Sequence, residues 1–111
     1  MQTDVQDCDG VKVVRLQGDL TGEAQDALAD TFGELLTTPH ARIIIDLAGV
    51  EFMNSAGLSE LVRTVAQANV QEARVLLTNP SPYIAGVLET TKLDTFFEVY
   101  STREEALKAL C

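Results

Sequence analysis

The chain reads as an α/β fold: a mixed, mostly parallel sheet of about five strands with about four helices, starting with a β-hairpin. Three observations predict it. The β-branched run Ile43-Ile44-Ile45 has the character of a strand buried on both faces, as in sheets covered by crossover helices. Leu58, Leu61, Val62 and Val65 then recur at helical spacing, so that strand feeds a helix. Apolar strand-like runs continue to alternate with helical stripes to the end of the chain.

Taken in order, residues 5–8 give a weak strand signal and residues 11–16 a strong one, with Asp9-Gly10 between them as a hairpin turn. Thr21 can cap a first helix over 23–36, where Ala24, Ala27, Leu28, Phe32, Leu35 and Leu36 line one face. Thr37-Thr38-Pro39-His40 ends that helix, and Ala41 leads into the isoleucine strand. Asp46 and Gly49 mark where the strand gives way to a connection. A second helix begins near Ser55 and runs to about Asn69; Asn54 and Ser55 are both suited to cap it. Residues 74–78 form another buried strand, broken by Asn79-Pro80. Ser81 followed by Pro82 starts a third helix with an inner stripe of Ile84, Val87 and Leu88. Leu93, Phe96, Phe97 and Val99 supply a short last strand with its approach. The closing helix, carrying Ala106, Leu107 and Leu110, has a capping box in either Ser101 with Glu104 or Thr102 with Glu105.

The 111 residues, 46% of them hydrophobic, are enough for one domain spanning 1–111 with its own core. The start, Met1-Gln2-Thr3-Asp4, has neither a basic nor an apolar leader segment, and no apolar run is long enough to insert in a membrane; a soluble cytoplasmic protein is expected. Cys8 and Cys111 lie near opposite ends, a spacing of neither a metal site nor a disulfide framework, so both are expected as free thiols. A net charge of −9 disfavours binding to nucleic acid or anionic lipid, since phosphate binding depends on Lys and Arg replacing counterions. The acidity is a solvated surface that also suits a partner with a basic face.

Chemistry concentrates at the turn before the second helix. The serine hydroxyl of Ser55 sits at a strand-to-helix switch, where open α/β sheets bind ligands and a helix N-terminus offers amide donors and partial positive charge. From capping chemistry alone, Ser55 is an N-cap serine. Asp46-Leu47 and Val50-Glu51-Phe52-Met53-Asn54-Ser55-Ala56-Gly57-Leu58, however, resemble the phosphorylation-site signature of the STAS domain, the family of bacterial anti-sigma factor antagonists. Gly18-Asp19-Leu20 and the segment from Leu93 to Val99 extend the resemblance over nearly the whole chain. Asn54 stands where the family often has Asp, and Thr21 departs from a frequent Gly-x-Leu-Asp turn.

The resemblance implies a STAS-like fold and makes Ser55 the phosphate acceptor. It also implies an anti-sigma factor serine kinase as partner and a serine phosphatase that restores the unmodified form. The partner-facing residues are then Met53, Asn54, Ser55, Ala56, Gly57 and Ser59. Gly57 lets backbone approach closely, Ala56 keeps the surface small and Met53 leaves the turn accessible; Gly57 also reads as a tolerated helix-start glycine and Met53 as a core gap-filler. Ser59 and Thr64 are further hydroxyls on the same helix, read as ordinary helical residues, while Asp19 and Asp46 suit turn or capping roles rather than a metal site.

No catalytic residue, cofactor or metal is expected. A hydrolase elbow wants glycine two residues before its serine, where Met53 stands, and a histidine after it, whereas His40 precedes Ser55 in a loop where a surface role is expected. A phosphopantetheine carrier modified on Ser55 would be all-helical, against the strands at 43–45 and 75–77. An accessory subunit of a lipid or anion transporter, also found in the family, is the main alternative function.

Overall fold

The structure, a computed structural model, describes residues 1–110. A hairpin of β1 (Gln2–Cys8) and β2 (Val11–Gln17) leads through a short 3-10 turn (Gly22–Ala24) to α1 (Gln25–Leu35). Then follow β3 (Arg42–Gly49), α2 (Ser55–Val70), β4 (Arg74–Thr78), α3 (Pro82–Thr90), β5 (Glu98–Tyr100) and α4 (Arg103–Leu110). The strands lie side by side in chain order, with β1 antiparallel to β2 and every other neighbouring pair parallel. Asp9 and Gly10 both take positive φ at the hairpin turn, +53° and +87°, as a two-residue turn matching the strand twist requires.

Each parallel step moves the same way across the sheet, so right-handed crossovers place α1, α2 and α3 together on one face. The burial agrees. Ile43 and Ile45 pack with Val14, Leu16, Val75 and Leu77 under Leu28 and Phe32 of α1, Leu61 and Val65 of α2, and Ile84 and Leu88 of α3. Ile44 points the other way, with Val11, Val13 and Leu76, beneath Ala106 and Leu110 of α4. Two covered faces explain why the isoleucine run lacks the alternation of a half-exposed strand.

Several boundaries differ from the sequence reading. β1 is a full strand from Gln2, because the hairpin register pairs it with all of β2 although its own residues are mostly exposed. Thr21 caps the 3-10 turn, its hydroxyl accepting from Glu23 N, and the α-helix proper begins only at Gln25. β3 runs on to Gly49, so Asp46 lies inside the strand and is buried. Of the two candidate caps for α4, Thr102 is used, its hydroxyl accepting from Glu105 N at 3.2 Å. Cys8 is a free thiol; Cys111 lies outside the described residues. Among the described residues, no helix is long and apolar enough to cross a membrane.

Candidate functional site

The connection from β3 to α2 is held from both sides. On one flank Leu20 bridges to Met53: Leu20 N donates to the Phe52 carbonyl at 2.9 Å, and Asn54 N donates to the Leu20 carbonyl at 3.2 Å. On the other, the Tyr83 hydroxyl of α3 donates to the Met53 carbonyl at 3.2 Å. Val50 and Met53 turn inward and are buried, while Glu51 and Phe52 turn outward. A loop pinned in this way has few conformations to lose when a partner binds.

Asn54 is the N-cap. Its backbone is extended, with φ −103° and ψ 178°, and its Oδ1 accepts from Gly57 N at 2.8 Å. Ser55 is therefore the first helical residue rather than the cap. It is exposed, and no group among the described residues hydrogen-bonds its hydroxyl. The plain capping role that capping chemistry allows for Ser55 belongs instead to its neighbour.

Gly57 has a packing reason. A Cβ there would sit 1.8 Å from the Leu20 carbonyl oxygen and 2.7 Å from Thr21 N, so only glycine lets the 19–21 segment cross the first turn of α2. The 3-10 turn lies beside Ala56: a Cβ on Gly22 would be 3.2 Å from that of Ala56. Two of the residues expected on the partner-facing surface are thus beneath it. Met53 is 3% exposed and belongs to the core, and Gly57 is buried against backbone. Asn54, Ser55, Ala56 and Ser59 are exposed. Thr64 is buried, its hydroxyl donating to the Glu60 carbonyl at 2.8 Å.

Asp46 combines the turn role expected of it with an ion pair. Its Oδ1 accepts from Ala48 N at 2.9 Å, the local pattern of an Asx turn, and from Asn79 Nδ2 at 3.2 Å, while Arg103 lies 3.3 Å from Oδ2. This clamp joins the ends of β3 and β4 to the start of α4. It was missed because a partner 57 positions away leaves no local signal. His40 occupies an exposed left-handed position, φ +54°, at the opposite end of β3 from Ser55. At about 3.3 Å per residue the strand holds them apart. Among the described residues, no group of three or more His, Cys, Asp or Glu could hold a metal ion.

Sequence reasoning also passed over two exposed aromatics. Phe52 and Tyr83 are 45% and 49% exposed, and their rings stack with centroids 6.3 Å apart and planes 14° from parallel. The available signal was Tyr83 standing outside the Ile84, Val87 and Leu88 stripe. Asp19 and Glu51, next in sequence to Leu20 and Phe52, are exposed, and residues 16–41, 43–62 and 75–91 contain no Lys or Arg.

The mixed five-stranded sheet in chain order, opened by a hairpin and covered by four helices, is a STAS-type fold. Residues 2–106 match the STAS domain family model, and the chain belongs to that family. It is 28% identical over 103 residues to the anti-sigma-F factor antagonist RsfB of Mycobacterium tuberculosis, covering 93% of this chain and 84% of the relative. A crystal structure of an anti-sigma factor antagonist from Mycobacterium paratuberculosis is 31% identical, with a TM-score of 0.79 over 97% of this chain and 92% of that one. The phosphorylated form of the Bacillus cell fate determinant SpoIIAA, at 21% identity, shares the fold, with a TM-score of 0.72 over 99% of this chain and 100% of that one.

Proposed function

We propose that this protein is an anti-sigma factor antagonist of a partner-switching system, with Ser55 as its phosphate acceptor. Unphosphorylated, the edge formed by Asn54, Ser55, Ala56 and Ser59 binds an anti-sigma factor that is itself a serine kinase, and the sigma factor is released. Phosphorylation ends the association: the Ser55 oxygen attacks the γ-phosphorus of ATP, ADP departs, and the hydroxyl proton passes to a base of the kinase. A serine phosphatase restores the binding form. The protein acts as substrate and binding module in the cytoplasm, where ATP and the kinase meet it.

The observation that carries this reading is the exposed, hydrogen-bond-free hydroxyl of Ser55 beside a cap supplied by Asn54. Modification then leaves the capping bond in place. The amides of Ser55 and Ala56, which open the helix, lack intrahelical acceptors and favour an anion nearby. The names of the relatives support the antagonist role, and the existence of a phosphorylated SpoIIAA supports a phosphorylated state on this fold. Incubating the protein with its kinase and ATP, then locating the phosphate by mass spectrometry, tests the assignment. Ser55 should carry the phosphate and Ser55→Ala should remain unmodified; phosphate found chiefly on Ser59 or Ser81 would refute it.

A further inference from the structure

We propose that the stacked Phe52–Tyr83 pair is the anchor by which the kinase partner docks, seating in an apolar cleft rimmed by Lys and Arg. This inference rests on the antagonist reading of Ser55 and adds where the affinity resides. Both rings are about half exposed, although Phe52 directly precedes the buried Met53 and Tyr83 the buried Ile84. Aromatics presented as an ordered surface pair supply large contact area with few torsions to freeze. The pair is also one body with the acceptor. Phe52 lies in the same pinned loop, three residues before Ser55, and the Tyr83 hydroxyl holds the carbonyl of Met53. A partner that grips these rings therefore receives Ser55 in a fixed position. A shallow depression of about 330 Å³ lined by Tyr83, Gly86, Val87, Thr90 and Thr91 continues the patch along α3.

Charge selects the occupant. Exposed Asp19 and Glu51 adjoin Leu20 and Phe52, the two residues whose backbones pair beside the rings, and residues 16–41, 43–62 and 75–91 carry no Lys or Arg. A second copy of the chain would bring acid against acid, with −9 on each molecule. A partner with a basic rim is drawn to the same surface, and its apolar floor covers the rings.

The test titrates the wild-type protein and its variants, by calorimetry without ATP, against each purified anti-sigma-type serine kinase encoded in the source genome. A parallel assay follows phosphorylation of Ser55. Phe52→Ser and Tyr83→Ala should each weaken binding at least ~30-fold, as central aromatic anchors do. Tyr83→Phe, which keeps the ring and loses the hydroxyl tether, should stay within about threefold. Glu51→Lys, an exposed change that leaves the rings untouched, should slow association and flatten its salt dependence even if a ring variant folds poorly. Val70→Ser, at the far end of α2 and 81% exposed, should bind as wild type. If the wild type is bound and phosphorylated on Ser55 while folded Phe52→Ser and Tyr83→Ala bind within about twofold of it, the anchor is wrong and the acceptor assignment stands. If Glu51→Lys leaves the association rate unchanged, the basic rim is wrong. If none of the kinases binds or modifies the wild type, both readings fall.

Discussion

Helices α2 and α3 start in similar ways and use their serines differently. At α3 the cap is Ser81 itself, its hydroxyl accepting from Ile84 N at 3.2 Å, with Pro82 in the first helical position. At α2 the cap is Asn54, and Ser55 stands one residue further in with its hydroxyl exposed. Both serines open a helix after a parallel strand of the same sheet, yet one is held by the fold and the other is left to solvent. A serine at a helix start is thus not informative by itself; the division of labour with its neighbour is.

The largest effect that sharpens this contrast comes from the glycine behind Ser55. Gly57→Ala forces a carbon into the Leu20 carbonyl, and the 19–21 segment or the helix must move. We expect a loss of about 3 kcal/mol or more, measured by denaturant unfolding, together with poor phosphorylation of Ser55 because the turn that presents it is displaced. A stability within about 0.5 kcal/mol of wild type would mean that the crossing is looser than its geometry.

Caps come next. Asn54→Ala and Ser81→Ala should each cost about 1 kcal/mol, or roughly 4–8 °C in melting temperature, whereas Ser55→Ala should stay within about 0.5 kcal/mol of wild type. If Ser55→Ala proved as costly as Ser81→Ala, Ser55 would share the capping and the contrast would break.

The smallest effect lies at low pH. Neither Asn54 nor Ser81 titrates, so their capping costs should persist in acid. One acid-sensitive element is the β5 edge, where Arg74 makes two bonds to Glu98, at 3.2 and 2.9 Å, and holds that carboxyl below its ordinary value. A lowered folded value means that the pair stabilises above the unfolded carboxyl's pKa near 4.5 and loses this contribution as pH falls through the folded value. Both side chains are 47% exposed, so solvent screening limits the effect to a few tenths of a kcal/mol. Glu98→Gln should show that deficit at neutral pH and converge with wild type in acid.

Much of this was legible in the sequence because its physics is local. The isoleucine run, the Asp9-Gly10 turn and the Ser81-Pro82 start each carry their signal within a few residues, and each was found where expected. Ser55 stood out through a motif, but which of Asn54 and Ser55 caps α2 depends on one hydrogen bond that composition does not choose. What stayed hidden is tertiary. Met53 faces the core because Leu20 bridges to it, and Gly57 is demanded by a segment more than thirty residues earlier. The pairing of Asp46 with Arg103, and of Phe52 with Tyr83, joins elements whose contact no spacing encodes.

The central claim is that Ser55 is a switch acting at the partner surface while the fold stays intact. Its most direct measurement is the affinity of the kinase for unmodified and Ser55-phosphorylated protein, with the melting temperature of each recorded alongside. The phosphate adds about −1.5 to −2 charges to a helix start whose flanking residues, 43–62, carry no Lys or Arg, so at least ~100-fold weaker binding is predicted. The melting temperature should change by less than about 8 °C, since the added charge meets a helix N-terminus and the Asn54 cap is untouched. Phosphorylated protein that binds as tightly as the unmodified form, or that loses affinity only by unfolding, would contradict the account.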